Sequence, residues 1–519
     1  MFLGTWNTYT NTVNENVAGL PLPAGCQSHY SEQVQTRENL FTAALAAILP
    51  ELNSLLGPSN VLSAVEDLRL YEYDGSVEKA RADVVVFPRT AEEVSRVVQI
   101  AAKHNLPIVG RGAGTGLSGG ALARTGGVMI VFARMNRILE IDLAGRRAVL
   151  QPGVVNFDIT RAVVKDGFYF APDPSSQKAC TIGGNVSENA GGPHTLASGV
   201  TSNHVMALEL AMPDGEIVRV GSRHGEAPGY DLCGLFVGSE GTLALVTEIT
   251  VKLTHKAEAV KTLLAIFDSV DSASRTVVDI TARGITPAAC EMIDGWTLNA
   301  IKDYIHAGFP RDSAAVLLLE VEGLREAVEA QSGAVEEVCR KHQAREVRVA
   351  QDERERDLLW RGRKNAFGAL GRLAPSNYVL DGVIPRSKLP ETLEKIQAIG
   401  KKYGLAIGNI FHAGDGNLHP IVLYDPRETG AFDRAIAASE EIIRYCIGIG
   451  GALTGEHGVG MEKNELMPLL FSDGDFDLMR RVHDACNPDC SLNPGKIFPL
   501  SKGCGEIRAR KSGEAAPLR

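Results

Sequence analysis

The sequence predicts an α+β protein of more than one domain, and three observations carry that expectation. Short apolar strands alternate with amphipathic helices along the first half of the chain. Near residue 258 the pattern changes to longer strands separated by longer helices, the mark of a second α+β unit. Glycine is also concentrated: of 54 glycines in 519 residues, 29 fall in five windows, 110–127, 183–199, 221–241, 404–416 and 448–460. At roughly 100–200 residues per domain the length implies two to four domains. A composition of 44% hydrophobic and 22% charged residues excludes a disordered chain.

In chain order, residues 1–30 form a polar extension that lacks the basic start and apolar run of a secretion signal. A helix is expected over 38–52 (ENLFTAALAAILPEL). Thr90 and Glu93 form a capping box that opens a second helix, ending near Asn105. The strand LPIVG runs into the first glycine window, and VMIVF, AVLQPG, ALELAM and LALVTEITVKL continue the strand series. Beyond 258, LLAIF and AVLLLEVEG alternate with helices over 325–342 and 390–403. The resulting divisions are a first domain over 31–257, a second over 258–465, a segment over 466–500 and a mobile polar tail over 501–519.

Charge and cysteine usage narrow the function. A net charge of −10 disfavours nucleic acid as a partner. No stretch approaches the ~20 apolar residues of a membrane span. Nine cysteines without a regular framework suit a reducing compartment, the cytoplasm. Cys486 and Cys490 are the only close pair, too few ligands for a zinc or iron–sulfur site.

The first window, GRGAGTGLSGG from Gly110, follows a strand, and Gly114, Gly116 and Gly119 fit G-x-G-x-x-G. Dinucleotide folds then start a helix against the pyrophosphate; here a second Gly-Gly and a strand follow, so an NAD-type site is rejected. Dense glycine still allows backbone N–H groups to converge on an anion, with Thr115 and Ser118 adding hydroxyls, and pyrophosphate binding is expected. The second and third windows are crowded with small residues around Asn and Thr, which lets a planar ligand approach the main chain. Together the three windows suggest one extended ligand threaded across a domain.

The segments GRGAGTGLSGGA, PDPSSQKACTIGGNVSENAGG and GSEGTLALVTE resemble the FAD-binding domain of the vanillyl-alcohol-oxidase/p-cresol-methylhydroxylase (PCMH) superfamily. FHAGDGNLHP, TGEHGVGMEK and LNPGKIFP are similar to the branch containing glycolate oxidase FAD subunits, D-lactate dehydrogenases and D-2-hydroxyglutarate dehydrogenases. The resemblance spans about residues 35–500. It implies a PCMH-type, two-subdomain FAD-binding domain over 31–257 and a substrate (cap) domain with an antiparallel sheet over 258–465. Segment 466–500 would return to the flavin, with Asn493 as a contact. Arg111, Gly112, Ala113, Gly114, Thr115, Gly116, Leu117 and Ser118 would hold the pyrophosphate. Pro172, Asp173, Ser176, Gly183, Gly184, Asn185 and Asn189 would line the path from adenine to the ring system. Ile249, or a neighbour after Gly241, would contact adenine through main chain, and Gly241 itself would be a cofactor contact. No histidine offers a reliable covalent flavin link, His194 being the nearest candidate, so non-covalent FAD is expected.

Asp415-Gly416 lies between two apolar runs and signals a two-residue hairpin. That register sets His412 directly opposite His419, close enough for both imidazoles to bind one ion. A hydrogen-bonded histidine pair is the competing reading. The flanking glycines of Thr454–Gly460 let Glu456 and His457 reach the same place, and a carboxylate would complete a set suited to zinc or manganese. By resemblance, His412, His419 and Glu456 are the metal ligands and His457 is the base. A 2-hydroxy acid would chelate the metal, His457 would take the hydroxyl proton, and the C2 hydride would pass to flavin N5.

Arg363 aligns with the family's carboxylate-binding arginine, and a bidentate grip is expected of it. The hydroxyglutarate branch has polar residues for a second carboxylate where this chain has Phe367, Val379 and Ile421. An apolar wall leaves such a group unpaired, which favours short acids such as glycolate or D-lactate. D-2-hydroxyglutarate dehydrogenase and a non-redox FAD enzyme like the alkylglycerone phosphate synthases are the alternatives. Without iron–sulfur or haem motifs, electrons must pass to a separate acceptor; glycolate oxidase complexes use an iron–sulfur subunit. The resemblance is compatible with a homodimer and with a peripheral position at the inner membrane, reached through partners.

Overall fold

The computed structural model describes residues 44–500 apart from 225–227, 302–308 and 310–311. The polar extension, the tail and the first residues of the helix expected at 38–52 lie outside the described residues; the rest of that helix runs over 44–56.

Two sheets build the first domain. Val84–Val86, Val128–Val131 and Ile108–Arg111 run parallel, with Val61–Leu62 antiparallel at the edge. Strands that bury both faces are apolar without alternation, as VVV and VMIV are. Helix Ala91–Lys103 covers this sheet with the stripe Val94, Val97, Val98 and Ala101. The Thr90 hydroxyl accepts from the Glu93 amide at 3.2 Å, but the Glu93 carboxylate bonds to the Arg89 amide, one residue before a capping box requires. The second sheet is antiparallel, in the order Ile138–Asp142, Arg147–Leu150, Leu245–Lys252, Val205–Ala211 and Ile217–Gly221. The second glycine window contributes a short helix, Ile182–Glu188, whose Ile182 and Val186 join the core of this sheet.

The chain leaves the first domain after His255, which pairs with Phe168, and enters a nine-stranded antiparallel sheet at Ala259. Strand alternation divides that sheet into two faces. Leu263, Ala265 and Phe267 face helices Val270–Ala282, Arg325–Lys341, Leu389–Tyr403 and Ala431–Gly448. Leu264 and Ile266 face the opposite way, under helix Glu353–Leu370. The same parity puts Glu291, Glu320 and His412 on this second face, among Ala289, Ile293, Val316, Leu318 and Ile410. Six described cysteines are free thiols, and Cys490 is disulfide-bonded.

The last described stretch returns to the first domain. Leu492 bridges Ile108 and is buried in its core, while Lys496 Nζ donates to the Leu122 carbonyl at 2.7 Å. Asn493 Nδ2 donates to the carbonyls of Gly120 and Glu240 at 2.9 and 2.6 Å, joining two glycine loops. Replacing Asn493 with Ala strands both carbonyls. It is expected to cost about 1–3 kcal/mol, read as a lower thermal midpoint.

Candidate active site

A cavity of about 450 Å³ lies between the domains. One end is lined by Arg111, Gly112, Ala113, Gly114, Thr115, Gly116 and Leu117, then by Ser176, Gly183, Gly184, Asn185 and Gly241. No helix follows the first glycine loop; the chain passes to Val128–Val131, and the loop lies open along the cavity. The guanidinium Nη1 of Arg111 and the hydroxyl of Thr181 are buried there without hydrogen-bond partners. A Cβ on Gly112 would stand 2.3 Å from the Thr181 hydroxyl, so only glycine keeps this floor open. Unpaired donors beside bare backbone fit a phosphate-bearing cofactor such as FAD.

Six residues expected on the flavin do not line the cavity. Ser118 is wholly buried and donates to the His457 carbonyl at 3.0 Å. The Pro172 carbonyl accepts from Asn156, and Asp173 is turned to His194 and Lys364. Asn189 ends helix Ile182–Glu188 in the left-handed conformation, φ 52°, and its side chain caps the Ser202 amide. Ile249 sits at the centre of the five-stranded sheet between Leu150 and Leu208, wholly buried in that core. Asn493 acts one layer behind, holding the loops. His194 is gripped by Asp173 at 3.0 Å and Glu320 at 3.3 Å. Burial opposes its charge, but the two carboxylates outweigh burial and raise it to about 10.

The other end of the cavity carries Arg363, Lys364, His412, His419, Glu456 and His457. The hairpin that brings the histidines is not the expected one. His412 pairs with Asn417 and Asn409 with Pro420, so the turn has four residues, 413–416, and the register is shifted by two. Tertiary bonds claim the turn residues: the Gly414 amide donates to the Cys290 carbonyl, and the Gly416 carbonyl accepts from Ile384. Because side chains alternate with period two, a two-residue shift leaves both histidines on one face. Their rings are 5.1 Å apart and perpendicular.

Glu456 Oε1 lies 3.2 Å from His412 Nε2 and 3.0 Å from His419 Nε2. The opposite ring nitrogens are engaged, His412 Nδ1 with Glu291 at 2.7 Å and His419 Nδ1 with the Leu380 carbonyl at 3.2 Å. Outer partners of this kind set the tautomers and turn both Nε2 atoms toward a common point. Two imidazoles and a carboxylate with ligand atoms within 4.8 Å of one another fit zinc or manganese. Burial alone would lower His412, but Glu291 and Glu456 outweigh it and hold it well above the ordinary value. Burial opposes ionisation of Glu456 as well, and the two histidines hold that carboxyl well below its usual range.

His457 stacks on His419 at 5.0 Å, and its Nδ1 is buried without a partner. Burial pushes this imidazole down to about 4, so it is a neutral proton acceptor at ordinary pH. Asp381 holds the whole segment, accepting from the amides of Gly455 and His457 at 3.0 Å and from the Thr454 hydroxyl. Arg363 lies 2.5 Å from Glu291 through Nη2, and its Nε is buried without a partner. Phe367, Val379 and Ile421 line the wall beside it, Val379 and Ile421 as cross-strand partners.

Residue patterns alone missed Glu188, Glu240, Asp381 and Glu291. Glu291 had a signal, a carboxylate in the middle of the otherwise apolar run ACEMI. Asp381 had none, because its role depends on a loop more than seventy residues away.

Comparison with known proteins agrees with this architecture. Residues 82–221 match the FAD binding domain family and residues 256–497 match the FAD linked oxidases, C-terminal domain. The chain is 45% identical to glycolate oxidase subunit GlcD of Escherichia coli K12, covering 89% of this chain and 93% of that protein. It is 42% identical to the GlcD subunit of Bacillus subtilis 168 (86% and 96% covered). It is 30% identical to a probable mitochondrial D-lactate dehydrogenase of Danio rerio (89% and 93%). The crystal structure of substrate-bound p-cresol methylhydroxylase superposes with a TM-score of 0.76 at 19% identity, covering 89% of this chain and 98% of that one. The chain therefore belongs to the FAD-linked oxidase family that includes the glycolate oxidase GlcD subunits, and it is an FAD-linked oxidoreductase of PCMH-type fold.

Proposed function

We propose that this protein oxidises a short D-2-hydroxy acid, glycolate or D-lactate, to the 2-oxo acid, using non-covalent FAD and a divalent cation, zinc or manganese. The observation that carries the reading is the single cavity joining the glycine loops to a His₂Glu cluster, a neutral histidine and an arginine. When bound, FAD supplies a two-electron acceptor and the cation a Lewis acid that acidifies the substrate hydroxyl. His412, His419 and Glu456 would hold the cation, and the first three glycine windows the FAD.

The chain's own residues account for the rest. Arg363 and Lys364 bring positive charge to a cavity in a protein of net charge −10, which draws in a carboxylate. His457 accepts the hydroxyl proton; burial keeps it neutral, and Asp381 and Ser118 fix its backbone on both sides. Phe367, Val379 and Ile421 fit a small substituent at C2 and leave a second carboxylate without a partner. The names of the curated relatives, glycolate oxidase subunits and D-lactate dehydrogenases, support this substrate class. The word subunit in those names supports a separate partner that takes the electrons, an iron–sulfur subunit or another carrier. Among the described residues no helix is long and apolar enough to cross a membrane. The protein would sit in the cytoplasm or at the inner membrane through such partners.

Anaerobic mixing with glycolate or D-lactate should bleach the visible flavin band. D-2-hydroxyglutarate should do so with kcat/KM lower by at least about 100-fold. Faster bleaching by D-2-hydroxyglutarate would point to the longer acid, and no bleaching by any of the three would reject the dehydrogenase reading. His412→Ala should abolish both cation binding and bleaching while FAD absorbance is retained. Undiminished bleaching in that variant would refute the metal assignment.

A further inference from the structure

We propose that Glu291 is a positioning residue that ties the cation site to the carboxylate site; the inference rests on the roles given above to His412 and Arg363. Glu291 is wholly buried in strand Ala289–Asp294, between the apolar Ala289 and Ile293 on the same face. A carboxylate in such surroundings costs several kcal/mol unless it is paired on both oxygens. Oε1 accepts from His412 Nδ1 at 2.7 Å, and Oε2, which accepts no hydrogen bond, faces Arg363 Nη2 at 2.5 Å as an ion pair.

The two contacts have different origins. Strand register sets Glu291 directly opposite His412, so the first is a cross-strand pair. The second comes from helix Glu353–Leu370, which crosses the same face of the sheet. One carboxylate thus selects the His412 tautomer that turns Nε2 toward Glu456. It also sets its charge against Arg363, whose Nε is buried without a partner. Loss of this side chain should therefore disturb cation affinity and substrate affinity together, although it need touch neither ligand.

The test uses the FAD-loaded protein stripped of metal, with Zn²⁺ affinity measured by competition against a chromophoric chelator. Glu291→Ala should weaken Zn²⁺ binding about 10–100-fold. Glu291→Gln keeps an oxygen for the His412 N–H but loses the charge facing Arg363. It should raise KM for the better of glycolate and D-lactate roughly tenfold, with a smaller loss of Zn²⁺ affinity. FAD absorbance should stay near wild type, and the Glu291→Gln/Arg363→Met double variant should show no higher KM than Arg363→Met alone. If the alanine variant fails to fold, the isosteric glutamine variant carries the test. Zn²⁺ affinity and KM both within about twofold of wild type in a folded, flavin-loaded variant would overturn the proposal. Zn²⁺ binding lost in His412→Ala but intact in both Glu291 variants would refute Glu291 alone. A wild type that binds no Zn²⁺ would overturn the metal reading and this inference together.

Discussion

Asp381 is the constraint on which the site depends. It is wholly buried, and its two oxygens collect the amides of Gly455, Glu456 and His457, the Thr454 hydroxyl and Lys463 Nζ at 3.4 Å. A segment with glycines at 455, 458 and 460 would otherwise sample many conformations. The carboxylate converts it into a fixed platform for one ligand and one base.

A second carboxylate repeats the device from the other domain. Glu240 accepts from the amides of Val459 and Gly460, each at 2.7 Å, and so pins the same segment to the first domain. Its own loop is tied through Asn493 to Gly120. The domains are therefore joined at the cavity by backbone amides and buried carboxylates, with His194 between Asp173 and Glu320 as a further tie. Glycine is required where these segments cross: a Cβ on Gly458 would stand 2.4 Å from a Glu188 oxygen, and one on Gly460 would stand 2.0 Å from the Ser118 carbonyl. Much of the glycine surplus reflects this close approach of loops to one another as well as to a cofactor.

Charge is distributed with the same economy. The chain is acidic overall, yet the cavity collects Arg111, Arg363 and Lys364. Arg363 is balanced by Glu291 and Lys364 lies 3.5 Å from Asp173. Each cation is oriented before any ligand arrives, which reduces the ordering cost of binding an anion.

The succession of strands and helices, the change of texture near residue 258 and the candidates His412, His419, Glu456, His457 and Arg363 could be read from the sequence, and the structure brings those five side chains to one end of the cavity. Periodicity and glycine spacing are local properties, and the motifs that carry the family resemblance are contiguous. Even the wrong hairpin register put the two histidines on the correct face, because an error of two residues preserves side-chain parity. Ile249, Ser118 and Asn189 could not be placed from motif position alone, since each is turned inward by contacts with distant segments. Only the tertiary structure brought Asp381, Glu240, Glu188 and Glu291 to the site. A lone acidic residue in an apolar stretch announces that it must be paired, but its partner is chosen by long-range packing, which no local pattern records.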